Sequence, residues 1–139
     1  MSNESDDLCF CPLEEVMSVI GKKWTLLIIN GIGIHRRIRF NRLMEELHNI
    51  SPKTLSERLK ELQAEGLIKR EAFAEIPPRV EYSLTKDGAE LRKSIIPIYE
   101  WAINRIVTSG RTIHCECEKC KSLLKSQTLS RTKRPADLG

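Results

Sequence analysis

A stretch of twenty residues, SPKTLSERLKELQAEGLIKR (residues 51–70), constrains the fold of this chain more than any other segment. Its leucines recur at the spacing of a helix that packs one face into a core, at Leu55, Leu59 and Leu62. Ser51 is a suitable N-cap, Pro52 suits the first helical turn, and Gly66 suits a stop. The sequence therefore predicts an amphipathic helix from residue 52 to about residue 65.

Helical and β patterns on either side give this helix its context. Three apolar helical segments precede it, at about 13–20, 23–32 and 40–47, and Gly31 and Gly33 are expected to end the second. Two short β segments follow, at about 67–74 and 80–85, and the prolines of EIPPR interrupt the ladder between them. A long helix begins after Thr85 and ends near Gly110. The predicted fold is mainly α with a small β-wing, a winged helix-turn-helix of order α-α-α-α-β-β-α.

A helix-turn-helix places its second helix in the major groove of DNA. On a helical wheel, the side of residues 52–65 opposite the leucines carries lysines, hydroxyls and a glutamate, which are residue types that contact phosphates and base edges. Arg79 follows the two prolines where a wing tip would meet the DNA backbone or minor groove. The predicted DNA-contacting residues are Ser51, Lys53, Thr54, Ser56, Glu57, Lys60 and Arg79. An ordinary solvated helix face would carry the same residue types.

Composition and charge narrow the class of protein. The 139 residues suit one domain, and residues 16–110 carry 16 Lys and Arg against 11 Asp and Glu, a mildly basic balance that permits a polyanionic partner. No apolar run approaches the roughly 18 residues of a membrane helix, and the acidic N-terminus is unlike a signal peptide, so a cytoplasmic location is expected. The chain has no glycine-rich phosphate loop and no nucleophile–base set at a recognisable spacing, which argues against an enzyme.

Several motifs in order resemble the HxlR-type winged-helix transcription regulators. They are Cys11-Pro12, IGKKWT at 20–25, the stretch 39–68, PPRVEYSLT at 77–85 and Gly88, and together they span about residues 11–105. The resemblance implies a sequence-specific DNA-binding transcription regulator. It also implies a homodimer, built by the first and last helices, whose two wings reach a pseudo-palindromic operator in double-stranded DNA.

Cys11 is a candidate redox residue. Several members of the family are thiol sensors whose reactive cysteine stands in a Cys-Pro pair before the first helix, and Cys11-Pro12 matches that pair. A helix N-terminus favours a thiolate, whereas Glu14 and Glu15 oppose it. The alternative role is a small side chain that caps the helix or packs at an interface.

A second group of cysteines lies in the tail, beyond the resemblance. Cys115, Cys117 and Cys120 form a C-x-C-x2-C motif, which could bind Zn²⁺ with Cys9, Cys11 or His114 as the fourth ligand. An iron–sulfur cluster, thiol–disulfide switching and an inert tail are the other interpretations.

The chain is thus divided into a disordered N-terminus (1–10), the winged domain (11–110) and a cysteine-rich basic tail (111–139). Two other classes of function remain open on the sequence alone. One is a metal-binding or electron-carrying protein on a winged-helix scaffold, and the other is a protein-interaction module on the same scaffold.

Overall fold

A small sheet and five helices make up the part of the chain that the computed structural model describes, residues 11–111. The helices are α1 (Pro12–Ile20), α2 (Thr25–His35), α3 (Phe40–Leu47), α4 (Pro52–Ala64) and α5 (Lys86–Thr108). The strands are β1 (Ile38–Arg39), β2 (Ile68–Phe73) and β3 (Arg79–Leu84). The predicted winged helix-turn-helix is confirmed. The predictions made for residues 1–10 and 112–139 lie outside the described residues.

The sheet has three strands rather than the expected two. β3 lies in the middle and pairs antiparallel with both neighbours, so that Ile38 of β1 faces Tyr82 and Ile68 of β2 faces Leu84. β1 has only two residues, and a pair of residues cannot show the alternation by which a strand is recognised in a sequence. Its pairing with β3 joins the start of α3 to the wing, which consists of β2, β3 and the loop between them.

The core is centred on α2. Ile28, Ile29 and Ile32 are fully buried, as the apolar composition of this helix predicts. Every other element except α1 and β3 contributes buried apolar side chains to the same cluster, namely Ile38, Leu43, Leu47, Leu55, Leu59, Leu62, Ile68 and Ile95, and β3 adds the partly buried Tyr82 and Leu84. The buried leucines of α4 confirm that the periodic face of residues 52–64 is a core face.

The expectation that Gly31 and Gly33 end the second helix is wrong, because α2 continues through both to His35. A Cβ built on Gly33 would overlap the side chain of Arg92 in α5, whose Nε donates to Asn30 Oδ1 at 3.2 Å. Gly33 therefore allows α5 to approach α2 closely. Packing between the two helices outweighs the low helix propensity of glycine.

The predicted N-caps of α4 and α5 are confirmed. The hydroxyl oxygen of Ser51 accepts from the Thr54 amide, and that of Thr85 accepts from the Gly88 amide, each at 3.1 Å. The Thr85 hydroxyl also donates to the carbonyl of Gly66 at 2.6 Å, and the Thr85 amide donates to the Leu67 carbonyl at 3.1 Å. Thr85 consequently ties the end of α4 and the start of the wing to the first turn of α5.

We expect Gly88→Ala to destabilise the domain by about 2 kcal/mol, because a Cβ at Gly88 would overlap the backbone carbonyl oxygen of Leu67. Gly33→Ala is the matched control. There only the flexible side chain of Arg92 has to move, and alanine favours the helix, so the net change should stay within about 1 kcal/mol. Urea unfolding followed by circular dichroism measures both; equal stability of the two variants would contradict this account of Gly88.

Candidate DNA-binding surface

The turn between α3 and α4 fixes how the two helices of the motif cross. His48 and Asn49 have positive φ values of 39° and 62°, and Ile50 is buried in the core directly after them. Asparagine tolerates the left-handed conformation better than most residues. The strained turn and the anchored isoleucine together direct the N-terminus of α4 away from the core.

The outward face of α4 carries the residues that the helical wheel selected. Lys53, Glu57 and Lys60 are exposed, and Thr54 and Ser56 are half-buried at its edges. Within residues 11–111, these three charged side chains form no ion pair. Two lysines and a glutamate are therefore available to an external ligand, and their contact with DNA stays a prediction.

Ser51 has a structural task besides any contact with DNA. Its hydroxyl donates to Thr54 Oγ1 at 2.8 Å and accepts from the Thr54 amide. Both residues thus have polar atoms engaged in the cap of α4. This arrangement fixes the first turn of α4.

The other cation of α4 is paired within the chain. Arg58 Nη1 lies 2.6 Å from Glu61 Oε2, and Lys22 in the turn before α2 lies 3.2 Å from Glu61 Oε1. The hydrogen bond from Arg58, with help from Lys22, lowers the pKa of Glu61 below its usual value of 4.5. The pair with Lys22 holds α4 against the turn between α1 and α2.

Arg79 occupies a different environment from the one expected at a wing tip. It is the first residue of β3, where its guanidinium lies 4.3 Å from the centre of the Phe73 ring. Its Nη2 is 3.3 Å from Glu75 Oε1, and its Nε is 3.5 Å from Glu81 Oε1. These contacts engage Arg79 within the wing, so its first role is to hold the hairpin together.

Arg37 extends this set of charges to β1. Glu71 and Glu81 stand directly opposite each other on β2 and β3, an arrangement in which like charges repel. Arg37 Nη1 lies 3.5 Å from Glu71 Oε2 and 3.7 Å from Glu81 Oε2. The sequence did not identify this network, because the cross-strand register that brings the two glutamates together is a tertiary feature.

Four further cations lie outside the set of DNA-contacting residues predicted from the sequence. They are exposed and form no ion pair within the described part of the chain: Arg36, Arg39, Lys69 and Arg70. Arg39 is the residue directly before α3, and Lys69 and Arg70 follow α4 in β2. Because Lys69 and Arg70 are consecutive in a strand, their side chains point to opposite faces of the sheet, so at most one of the two adds to a surface shared with α4.

Of the cysteines predicted to act in redox or metal chemistry, only Cys11 lies within residues 11–111. Cys11 is exposed, its thiol is free, and it is the N-cap of α1 without a side-chain cap hydrogen bond. Cys9, Cys115, Cys117 and Cys120 lie outside the range. Among residues 11–111 no group of three or more His, Cys, Asp or Glu side chains is arranged to hold a metal ion, and no helix is long and apolar enough to cross a membrane.

A helix-turn-helix with a free polar face on its second helix, followed by a β-hairpin wing, defines a winged-helix DNA-binding protein. The family model described as HxlR-like helix-turn-helix matches residues 19–109. The chain belongs to this family.

Relatives and solved structures agree with this assignment. BH0655 of Halalkalibacterium halodurans, an uncharacterized HTH-type transcriptional regulator, is 40% identical over 92 residues, which are 66% of this chain and 81% of that protein. The regulator sll1512 of Synechocystis is 34% identical over 122 residues, 84% of this chain and 87% of its own.

Among solved structures, the redox regulator HypR in its reduced form has a TM-score of 0.65 at 35% identity, covering 72% of this chain and 99% of HypR. The reduced transcriptional regulator YodB of B. subtilis has a TM-score of 0.60 at 36% identity, covering 66% and 90%. The chain is a DNA-binding transcriptional regulator. The interpretation as an electron carrier or a protein-interaction module is not favoured.

Proposed function

We propose that a homodimer of this chain binds a two-half-site operator in double-stranded DNA, with α4 of each protomer in the major groove. The observation that carries this proposal is the outward face of α4, where Lys53, Glu57 and Lys60 are exposed and unpaired within the described chain. The acid Glu61 on the same helix is paired with Arg58 and Lys22, so two unpaired lysines against one unpaired glutamate leave the outward face with a net positive charge.

Each residue of the face has a role that its chemistry supports. Lys53 and Lys60 contact phosphates or guanine, and Glu57 accepts from the amino group of cytosine. Thr54 and Ser56 contact the backbone or base edges at the rim of the groove. Ser51 and Arg79 act first as positioning residues, because one caps α4 and the other fixes the wing.

We expect Lys53→Ala and Lys60→Ala each to weaken binding of a DNA duplex about tenfold and to reduce the slope of log K against log salt by about 1, since each removes one phosphate contact. Fluorescence anisotropy over a series of salt concentrations measures both effects. Lys93→Ala is the matched control, because Lys93 is exposed on α5. Wild-type affinity and slope in both α4 variants would exclude α4 as the DNA-contacting helix.

The dimer is proposed from apolar side chains that α1 and α5 leave in solvent. α1 buries none of its residues in the described chain. Leu13, Val16 and Met17 are exposed on one face of α1, and Ile98 and Trp101 are neighbours on α5, where Ile106 is exposed farther round the helix. Apolar patches of this kind mark interaction sites, and a second copy of the chain, with the same two faces, satisfies the symmetry of a two-half-site operator.

Trp101→Ser should raise the dimer dissociation constant about a hundredfold, because Trp101 is 62% exposed in the single chain and exposed tryptophans dominate interfaces. Sedimentation equilibrium measures the change, and thermal unfolding verifies that the protomer is intact. Ile76→Ser, which also removes an exposed apolar side chain, should leave dimerisation unchanged because Ile76 lies in the wing. A dimer that survives Trp101→Ser unaltered would place the interface elsewhere.

Control of DNA binding through cysteine is the regulatory part of the proposal. Cys11 is exposed and directly precedes α1, one of the two helices of the proposed interface. Among the similar structures, HypR is named a redox regulator and YodB has been solved after diamide treatment. Oxidation of Cys11 would alter the interface and with it the spacing of the two α4 helices. Zn²⁺ bound by Cys115, Cys117, Cys120 and Cys9 is the second form of control we propose.

Diamide should change the DNA affinity of the reduced protein by about tenfold or more, and dithiothreitol should reverse the change, because oxidation perturbs the dimer contacts beside Cys11. Diamide takes up the two electrons and two protons that are released when the Cys11 thiol and a second thiol form a disulfide, so the response should disappear in Cys11→Ser. The control is the same variant without diamide, which should bind DNA like the reduced wild type. Metal analysis of the same samples tests the zinc proposal. An unaltered diamide response in Cys11→Ser would remove Cys11 from the mechanism.

A further inference from the structure

The loop at the end of the wing, residues 74–78, presents an isoleucine to solvent. Ile76 is 103% exposed, the highest value among the exposed large apolar side chains of residues 11–111. Its neighbours in this loop, which we call the wing apex, are Ala74, Glu75, Pro77 and Pro78. A single exposed apolar residue is ordinary on a protein surface, so exposure alone does not assign a function to Ile76. The rigidity of the loop and its position in the wing are the further observations.

The wing apex is held firmly at its base. The Glu75 amide donates to the Phe73 carbonyl at 2.9 Å, and the Glu75 carboxylate lies 3.3 Å from Arg79 Nη2 across the hairpin. Arg79 in turn lies over the Phe73 ring, and Pro77 and Pro78 restrict the backbone. Little conformational entropy remains to be lost when Ile76 is buried against a ligand.

The wing apex carries no unpaired positive charge. Residues 74–78 contain no Lys or Arg, and the nearest cation along the chain, Arg79, is engaged by Glu75 and Glu81. The one charged residue of the apex, Glu75, is paired with Arg79, so the contact that the apex can offer to DNA beyond this ion pair is apolar and comes from Ile76 and the two prolines. Isoleucine is among the side chains that enter the minor groove as wedges between base steps.

The length of the wing matches the distance that such an insertion requires. α4 ends at Ala64, β2 begins four residues later at Ile68, and the six residues of β2 span about 20 Å. One turn of DNA is roughly 34 Å long, so the minor groove that adjoins an occupied major groove is about 17 Å away. With α4 in the major groove and the hairpin directed along the DNA axis, a wing of this length would bring its apex to that minor groove.

We propose that Ile76 inserts as an apolar wedge at a base step of the minor groove adjacent to the α4 site, and that the step it unstacks is selected by deformability. Pyrimidine–purine steps such as TA and CA unstack most easily, so these are the steps that the wedge would prefer. The proposal rests on the docking of α4 in the major groove. It adds a specificity-determining residue that makes no hydrogen bond to a base.

The test uses the full chain and a duplex of about 40 base pairs, long enough for two half-sites, that the wild-type protein selects from a random library. Ile76→Ser should weaken binding roughly tenfold, the order expected for losing one buried aliphatic side chain, without changing the slope of log K against log salt. Ile76→Leu, which keeps an apolar side chain of the same size, should bind like the wild type. Both variants should unfold at the wild-type temperature because the side chain is exposed.

A fluorescent base distinguishes insertion of Ile76 into DNA from a purely structural role of Ile76 in the wing. 2-Aminopurine, placed in turn at each step flanking the α4 site, should brighten at one step when the wild type or Ile76→Leu binds, and at none when Ile76→Ser binds. Wild-type affinity and fluorescence in Ile76→Ser would overturn the wedge. So would a serine variant that binds DNA normally but no longer regulates transcription, because Ile76 would then contact a protein. If Lys53→Ala and Lys60→Ala bind normally, the docking of α4 fails instead, whatever Ile76 does.

Discussion

The contact between Thr85, the end of α4 and the first turn of α5 is the constraint on which the rest of the arrangement depends. The Thr85 hydroxyl donates to Gly66 and accepts from Gly88, and its amide donates to Leu67. Gly88 lacks a Cβ where the Leu67 carbonyl passes. This junction joins three elements with different tasks: the helix proposed to read DNA, the wing, and the helix proposed to form the dimer. A change in the angle of α5 is therefore passed directly to α4 and the wing.

The arginines that stabilise the proposed DNA-binding surface differ from the lysines that are proposed to contact DNA. Arg37, Arg58 and Arg79 pair with carboxylates of the chain and hold the sheet, α4 and the wing. Lys53 and Lys60 stay unpaired in the described chain, on the outward face of α4. Internal pairing fixes the geometry at partly exposed sites, and in the proposed complex the free lysines would supply the counterion release from which DNA affinity derives. The apex of the wing adds apolar contact in place of charge.

In the proposed mechanism, a change at Cys11 regulates DNA binding through the dimer interface. Cys11 begins the helix whose apolar face is exposed, and α5 carries Trp101 on the face proposed to meet the second copy. Affinity for two half-sites depends steeply on the separation of the two α4 helices. A chemical change at Cys11 need move the interface only slightly to alter that separation, because the Thr85 junction leaves little freedom between α5 and α4.

The sequence by itself determined the five helices apart from the end of α2, the N-caps of α4 and α5, and the order of every element except β1, because helical spacing, Ser51, Thr85 and Gly66 are local signals. It also placed Lys53 and Lys60 opposite the core face of α4. Only the tertiary structure decided the rest. α2 continues through Gly33 because α5 packs against it, and two-residue β1 exists because β3 pairs with it. Arg79 turned inward to Glu75, Glu81 and Phe73 because strand register brings those side chains together. Such contacts join residues from separate strands and helices, and local sequence patterns carry no information about them.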